Sequence, residues 1–345
     1  MRILLPIIII LSFCSNTYAQ KIEILQSNPI FKQVPFEACH ASTLVDLGNG
    51  KIMAAWFGGK HEGSKDVVIW SAVKNGTNWS QPVEIANGIQ NDTSRLACWN
   101  PVLFKAKNGT LFLHYKVGLN PRTWWAEYKT SVNNGKSWSK ARKLPDDFLG
   151  PIKNKPIQLA NGTILYPSST ESQDEKTWNI HIEKSDANGK NWRKIKINCD
   201  TFGVIQPSIL IHSQGKLQLL CRSRQNVIVE SWSVDHGETW SKLKPTQLPN
   251  PNSGSDAVNL KDGRQLLVYN PLTAGKNWWE GRSVLKLAIS TDGEKWTDIY
   301  TLENHLNGEY SYPAIIQDQI GNIHISYTAE RTKIIYMEIR LVHSP

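Results

Sequence analysis

Six side chains suited to chemistry recur along the chain with a rhythm: His40, Asn100, Lys155, Gln206, Asp256 and Tyr312, each about 50–60 residues after the last. An imidazole can give or take a proton near neutral pH. A phenol can attack or donate, an ammonium can hold an anion, and amides and carboxylates can orient hydroxyls. No two of these groups are neighbours in sequence. They act together only if a repeating scaffold brings the start of every repeat to one place.

The scaffold has its own marks. Residues 233–240 (SVDHGETW) read S-x-D-x-G-x-x-W, and weaker copies stand at 131–138 (SVNNGKSW), 185–192 (SDANGKNW), 290–296 (STDGEKW) and 71–79 (SAVKNGTNW). The phrase describes a tight turn: Gly takes a positive φ, Ser and Asp or Asn bond nearby backbone, and Trp folds back as an apolar plug. Copies about 50–60 residues apart suit a four-stranded blade better than a helical repeat. Six blade openings can be placed, at 40–44 (HASTL), 100–103 (NPVL), 155–157 (KPI), 206–209 (QPSI), 255–258 (SDAV) and 312–315 (YPAI), each followed by a Gly-containing turn and, most clearly at 52–57, 111–115, 217–222, 265–269 and 323–327, a second apolar strand. The expected fold is all-β, a six-bladed β-propeller, with the segment from Lys21 to Gln26 completing the last blade and removing exposed sheet edges. In such a ring the openings face one central funnel.

Residues 1–19 carry Arg2, an apolar run over 3–13 and Thr17-Tyr18-Ala19 before Gln20, the pattern of a secretory signal cut after Ala19. That leaves 20–345 as one propeller domain, expected to be periplasmic or secreted and monomeric. Cys39, Cys98, Cys199 and Cys221 lack metal-ligand spacing, so no metal or other cofactor is expected, and their disulfide pairing is left open. The net charge of +9 comes from dispersed Lys and Arg with no basic tract, no nucleic-acid motif and no transmembrane segment. The expected partner is an acidic oligosaccharide or polysaccharide. Trp99, Trp124 and Trp125 are candidates to stack on sugars, and Lys153 and Lys155 add positive charge at the mouth.

The turn phrase resembles the Asp-box of the sialidase superfamily, and the resemblance covers nearly the whole mature chain. The phrases at 150–156 (GPIKNKP) and 248–254 (LPNPNSG) resemble a sialidase-like branch of unassigned substrate. The resemblance implies three arginines gripping a sugar carboxylate, a tyrosine nucleophile assisted by a glutamate, and an acidic acid/base. Tyrosine serves there because an anionic nucleophile would be repelled by the sugar's own carboxylate. On this sequence it implies Arg222 and Arg282 as substrate-binding cations, Tyr312 as nucleophile with Tyr310 nearby, and Glu62 or Asp66 as the acid. Two positions depart from the pattern: His40 stands where the first arginine is expected, and Gln206 where the assisting glutamate is expected. A neutral amide cannot take a phenol's proton, so His40 becomes a candidate for proton transfer.

These features give an expected function, a secreted sialidase-like exo-glycoside hydrolase acting on glycans that carry a sialic or uronic acid. The catalytic candidates are His40, Glu62, Asp66, Tyr312 and Gln206; the substrate-binding candidates are Arg222, Arg282, Lys155, Asn100, Asp256 and Trp99. Two alternatives stand beside it: a histidine-dependent rhamnosidase-like hydrolase or polysaccharide lyase on uronate-containing chains, and a carbohydrate-binding propeller without catalysis.

Overall fold

The computed structural model describes residues 21–277 and 279–342; the expected leader over 1–19 lies outside them. Alternating apolar strands separated by Gly turns pair with their sequence neighbours, giving six antiparallel blades. Blade one runs outward through Ala38–Gly48, Lys51–Gly59 and Val68–Asn75, and blade four through Val204–Ile211, Leu217–Ser223, Val227–Ser233 and Lys244–Pro249. Blade six is composite. Its inner three strands, Tyr310–Gln317, Ile323–Ala329 and Lys333–Val342, come from the end of the chain, and its outermost, Lys21–Pro29, comes from the beginning. Ile24 lies opposite Ile339 in that pairing, so the expected closure by the first strand is present and extends to Pro29. Among the described residues no helix is long and apolar enough to cross a membrane.

The box turns of blades two to five fasten each of them to the blade before it. In the fourth, the Ser233 hydroxyl and Asp235 carboxylate accept the Gly237 and Thr239 N–H groups at 2.8 and 2.9 Å. Gly237 has φ +77°, and a Cβ there would press on Leu165 of blade three at 3.3 Å. Gly135 of blade two likewise abuts Met53 of blade one, and Gly189 of blade three abuts Phe112 of blade two. The glycine therefore gives both the turn and the close approach.

Four openings carry a β-bulge, where the register shifts between His40 and Thr43, opposite His114 and Lys116, between Ile205 and Ser208, and between Ser311 and Ala314. At each, one residue adopts a left-handed backbone: Ala41 (φ 54°), Asn100 (37°), Gln206 (56°) and Tyr312 (53°). Asn100, Gln206 and Tyr312 precede proline, which disfavours the helical region for the residue before it and lacks the N–H that the bulge leaves unpaired. A bulge re-aims a side chain, and strain of about 1–3 kcal/mol at such a residue is sustained by the surrounding packing. In blade one the bulged residue is Ala41, so His40 stands one place earlier than the positions it was matched with.

Candidate active site

Tyr312 is the focus of the funnel. Arg222, at the upper end of a blade-four strand, donates through Nη1 to the Tyr312 hydroxyl oxygen at 2.7 Å and to Gln206 Oε1 at 3.3 Å. Gln206 donates through Nε2 to the same hydroxyl oxygen at 3.4 Å. Two donors thus converge on the phenol oxygen, and negative charge developing there in a reaction would be stabilised in place. The ring lies on a bed made by Lys153, whose Nζ is 5.7 Å from its centroid, and Gly254, where a Cβ would stand 3.3 Å from Tyr312 Cδ2 and 2.8 Å from Lys153 Cε. Lys153 is buried and donates to Asn154 Oδ1 (2.9 Å), the Ser255 carbonyl (3.1 Å) and the Pro313 carbonyl (2.6 Å), tying blades three, five and six. Burial draws its amine down to about 7, aided by the Lys155 and Arg222 charges against Asp256.

His40 packs against the tyrosine, with ring centroids 4.2 Å apart. It is 2% exposed, and among the described residues neither ring nitrogen has a hydrogen-bond partner. Burial holds it neutral well below the usual histidine range, and the charges of Arg331, Arg282, Lys153 and Arg222 act in the same direction. Arg282 donates to Glu309 Oε1 at 2.9 Å and to the Asn252 carbonyl at 3.3 Å. Asn252, itself left-handed, also accepts from Arg222 Nε at 2.9 Å, so one loop residue braces both arginines.

Arg331 was not legible as a site residue. It follows the blade-six strand Ile323–Ala329, its carbonyl accepts the Cys39 N–H at 2.7 Å, and its guanidinium donates to both Glu309 oxygens at 2.9 and 3.0 Å and to Glu62. Burial pushes the Glu309 carboxyl up, but Arg331 and Arg282 together outweigh it and hold the group ionised. With Glu62 and His40, Arg331 lines a small recess between blades one and six.

The other expected site residues fall differently. Glu62 is at the entrance, exposed and ion-paired to Arg331. Asp66 is turned into its own loop, accepting from the Lys60 N–H at 2.8 Å and from the Ser64 hydroxyl. Slight burial raises its carboxyl, yet these bonds outweigh that and lower it, which suits a turn residue and not a proton donor. Asp256 is a buried staple: it accepts from Ser208 at 3.1 Å, the Ile315 N–H at 2.9 Å and Lys155 Nζ at 2.8 Å. Lys155 donates to that carboxylate and to the Ala257 carbonyl, both at 2.8 Å, so the pair ties blade three to blade five. Trp99 is buried between Phe57 and Trp124, bonds the Gly118 carbonyl at 2.9 Å and supports Gly63 beneath the Glu62 loop; its faces are not open to a sugar. Asn100 is buried at the blade-two bulge.

The family model described as a BNR repeat-like domain matches residues 50–325. The chain belongs to this family. The anhydrosialidase of Macrobdella decora is 27% identical over 182 residues, covering 50% of this chain. The match spans 23% of that relative's length. Similar solved structures include a protein of unknown function from Dyadobacter fermentans (TM-score 0.74, 16% identity, 93% of this chain and 99% of that one). The NanB sialidase of Streptococcus pneumoniae (0.70, 15%, 91% and 71%) and a leech intramolecular trans-sialidase complexed with 2,7-anhydro-Neu5Ac (0.69, 16%, 95% and 70%) are also alike. At these identities the likeness is one of fold, and this BNR repeat-like chain is a sialidase-like six-bladed propeller.

Proposed function

We propose that this protein is an exported exo-acting glycoside hydrolase that removes a carboxylate-bearing sugar from the end of a glycan. The observation that carries the reading is the Tyr312 oxygen, 2.7 Å from Arg222 Nη1, in a funnel that also holds Arg282, Arg331, Lys153 and an unpartnered His40. Its sialidase relative and the sialidase folds support glycosidase chemistry.

Bidentate guanidinium groups suit a sugar carboxylate. Glu62 occupies the outer side of Arg331, and the substrate's carboxylate would take its place, like for like. Tyr312 then attacks the anomeric carbon and its proton passes to His40, whose ring, packed on the tyrosine, must turn to bring a nitrogen within hydrogen-bond reach of the phenol oxygen. Burial and the cations around His40 oppose that transfer; an anionic substrate offsets the cations' part and strengthens the base where it is needed. The test is a panel of sialic- and uronic-acid oligosaccharides with mass analysis of products. Terminal acidic sugar released with a gain of water supports the reading. A product with a new double bond absorbing in the ultraviolet would mark a lyase, and binding with no release at high enzyme concentration would mark a carbohydrate-binding propeller.

A further inference from the structure

The geometry points to Glu171, on the blade-three wall of the funnel, as the general acid that protonates the leaving oxygen; this assignment rests on the hydrolase reading above. Glu171 ends the strand Ile164–Glu171. Alternate residues of a strand share a face. Two places earlier, the Ser169 hydroxyl accepts the Gln206 N–H at 3.3 Å, so the face carrying Ser169 and Glu171 is the one turned to blade four. A two-residue step lifts Glu171 roughly 6.8 Å above Ser169, one sugar's height above the floor where Gln206 meets Tyr312.

Its cross-strand partner confirms the direction. Glu171 pairs with Trp178, whose ring takes the Arg222 guanidinium at 5.6 Å and that of Arg224 at 4.1 Å. Glu171 is therefore half-buried beside the arginine that also holds the phenol. Of the other carboxylates near the mouth, Glu309 is engaged by Arg282 and Arg331 and Asp66 by its own loop, while Glu62 stands exposed on the blade-one side. Burial raises the Glu171 carboxyl, in the direction an acid needs, against the charges of Arg222, Arg224 and Arg122 and with that of Glu175.

In the first step the glycosidic C–O bond breaks, the Glu171 proton goes to the departing oxygen, the anomeric carbon bonds to Tyr312 Oη, and the phenol proton goes to His40. In the second, water adds to the anomeric carbon, Glu171 recovers a proton from it, and His40 returns its proton to the released tyrosine.

The experiment compares wild type with Glu171→Gln on methylumbelliferyl glycosides of N-acetylneuraminic and glucuronic acid and on disaccharides of the same sugars. An aryl leaving group needs no acid, whereas a sugar alcohol does. The variant should lose about 100-fold or more in kcat on the disaccharide and less than about tenfold on the aryl glycoside, with the alkaline limb of its pH profile removed. Glu171→Ala on the aryl substrate should regain turnover with azide, giving a glycosyl azide. Equal losses on both substrates, or no loss, with an active wild type would overturn the role of Glu171 alone. A wild type that cleaves no probe would overturn the hydrolase reading and Glu171 with it.

Discussion

The His40 and Tyr312 rings lie 4.2 Å apart, centre to centre, although 271 positions separate them and they belong to the first and last openings of the ring. The contact exists because blade one and blade six are neighbours once the propeller closes. It places a neutral imidazole with no hydrogen-bond partner against the residue whose oxygen receives Arg222.

Tyr312→Phe removes the attacking oxygen and leaves the ring packing. Release of the acidic sugar should fall by at least about 100-fold, while calorimetric binding of the free sugar acid stays within a few-fold of wild type. Retained turnover would move the nucleophile elsewhere.

Arg331→Met should weaken substrate binding by about ten- to 100-fold, the scale of one charge-assisted hydrogen bond. It leaves Glu309 with Arg282 and frees Glu62. The loss should appear in KM more than in kcat, and an unchanged KM would take Arg331 out of the substrate's reach.

Lys116 and Lys153 are both buried, and burial draws each amine down to about 7. An unfolded lysine titrates near 10.4, so above pH 7 the unfolded chain binds more protons and stability rises with pH, by up to about 1.4 kcal/mol per unit for each lysine. Burial of Cys39, Cys98 and Cys221 raises their thiols and acts oppositely above about pH 8.5. Urea midpoints should climb from pH 7 to 8.5, and Lys116→Met or Lys153→Met should flatten that climb.

His114 gives the matching effect in acid. Burial first, then Lys116, draws it down to about 3, and neither ring nitrogen has a partner among the described residues. Below the unfolded value of about 6.5 the unfolded chain takes a proton that the folded chain refuses, costing up to about 1.4 kcal/mol per pH unit until about pH 3. His114→Leu should lose less stability between pH 6.5 and 4.5 than wild type, read by urea unfolding at each pH.

The blades were legible because they are local: a box phrase, a Gly turn and a six-fold set of openings lie within each repeat. Tyr312 and Gln206 were placed at the funnel for the same reason, each standing at a blade opening, and Arg222 by the resemblance alone; the structure brings the three side chains together. Arg331 was not legible, since its partners Glu62 and Glu309 come from different blades and no spacing announces the meeting. Glu171 was not legible either: no second strand was read in blade three, and only the Ser169 contact with Gln206 shows which way that strand's face is turned. Asp66 could have been read better, because Ser64 two residues before it is the signature of a side chain that caps its own turn.

The pairing of Lys21–Pro29 with Lys333–Val342 sets an order on biogenesis. Among the described residues, Lys21–Pro29 has no strand partner until Lys333–Val342 has been made, so this blade cannot close before the chain has been synthesised through Val342. An extension fused directly before Lys21 would sit on the outer edge of the seam, away from the funnel, and would be felt first as slower closure, well before any change in chemistry.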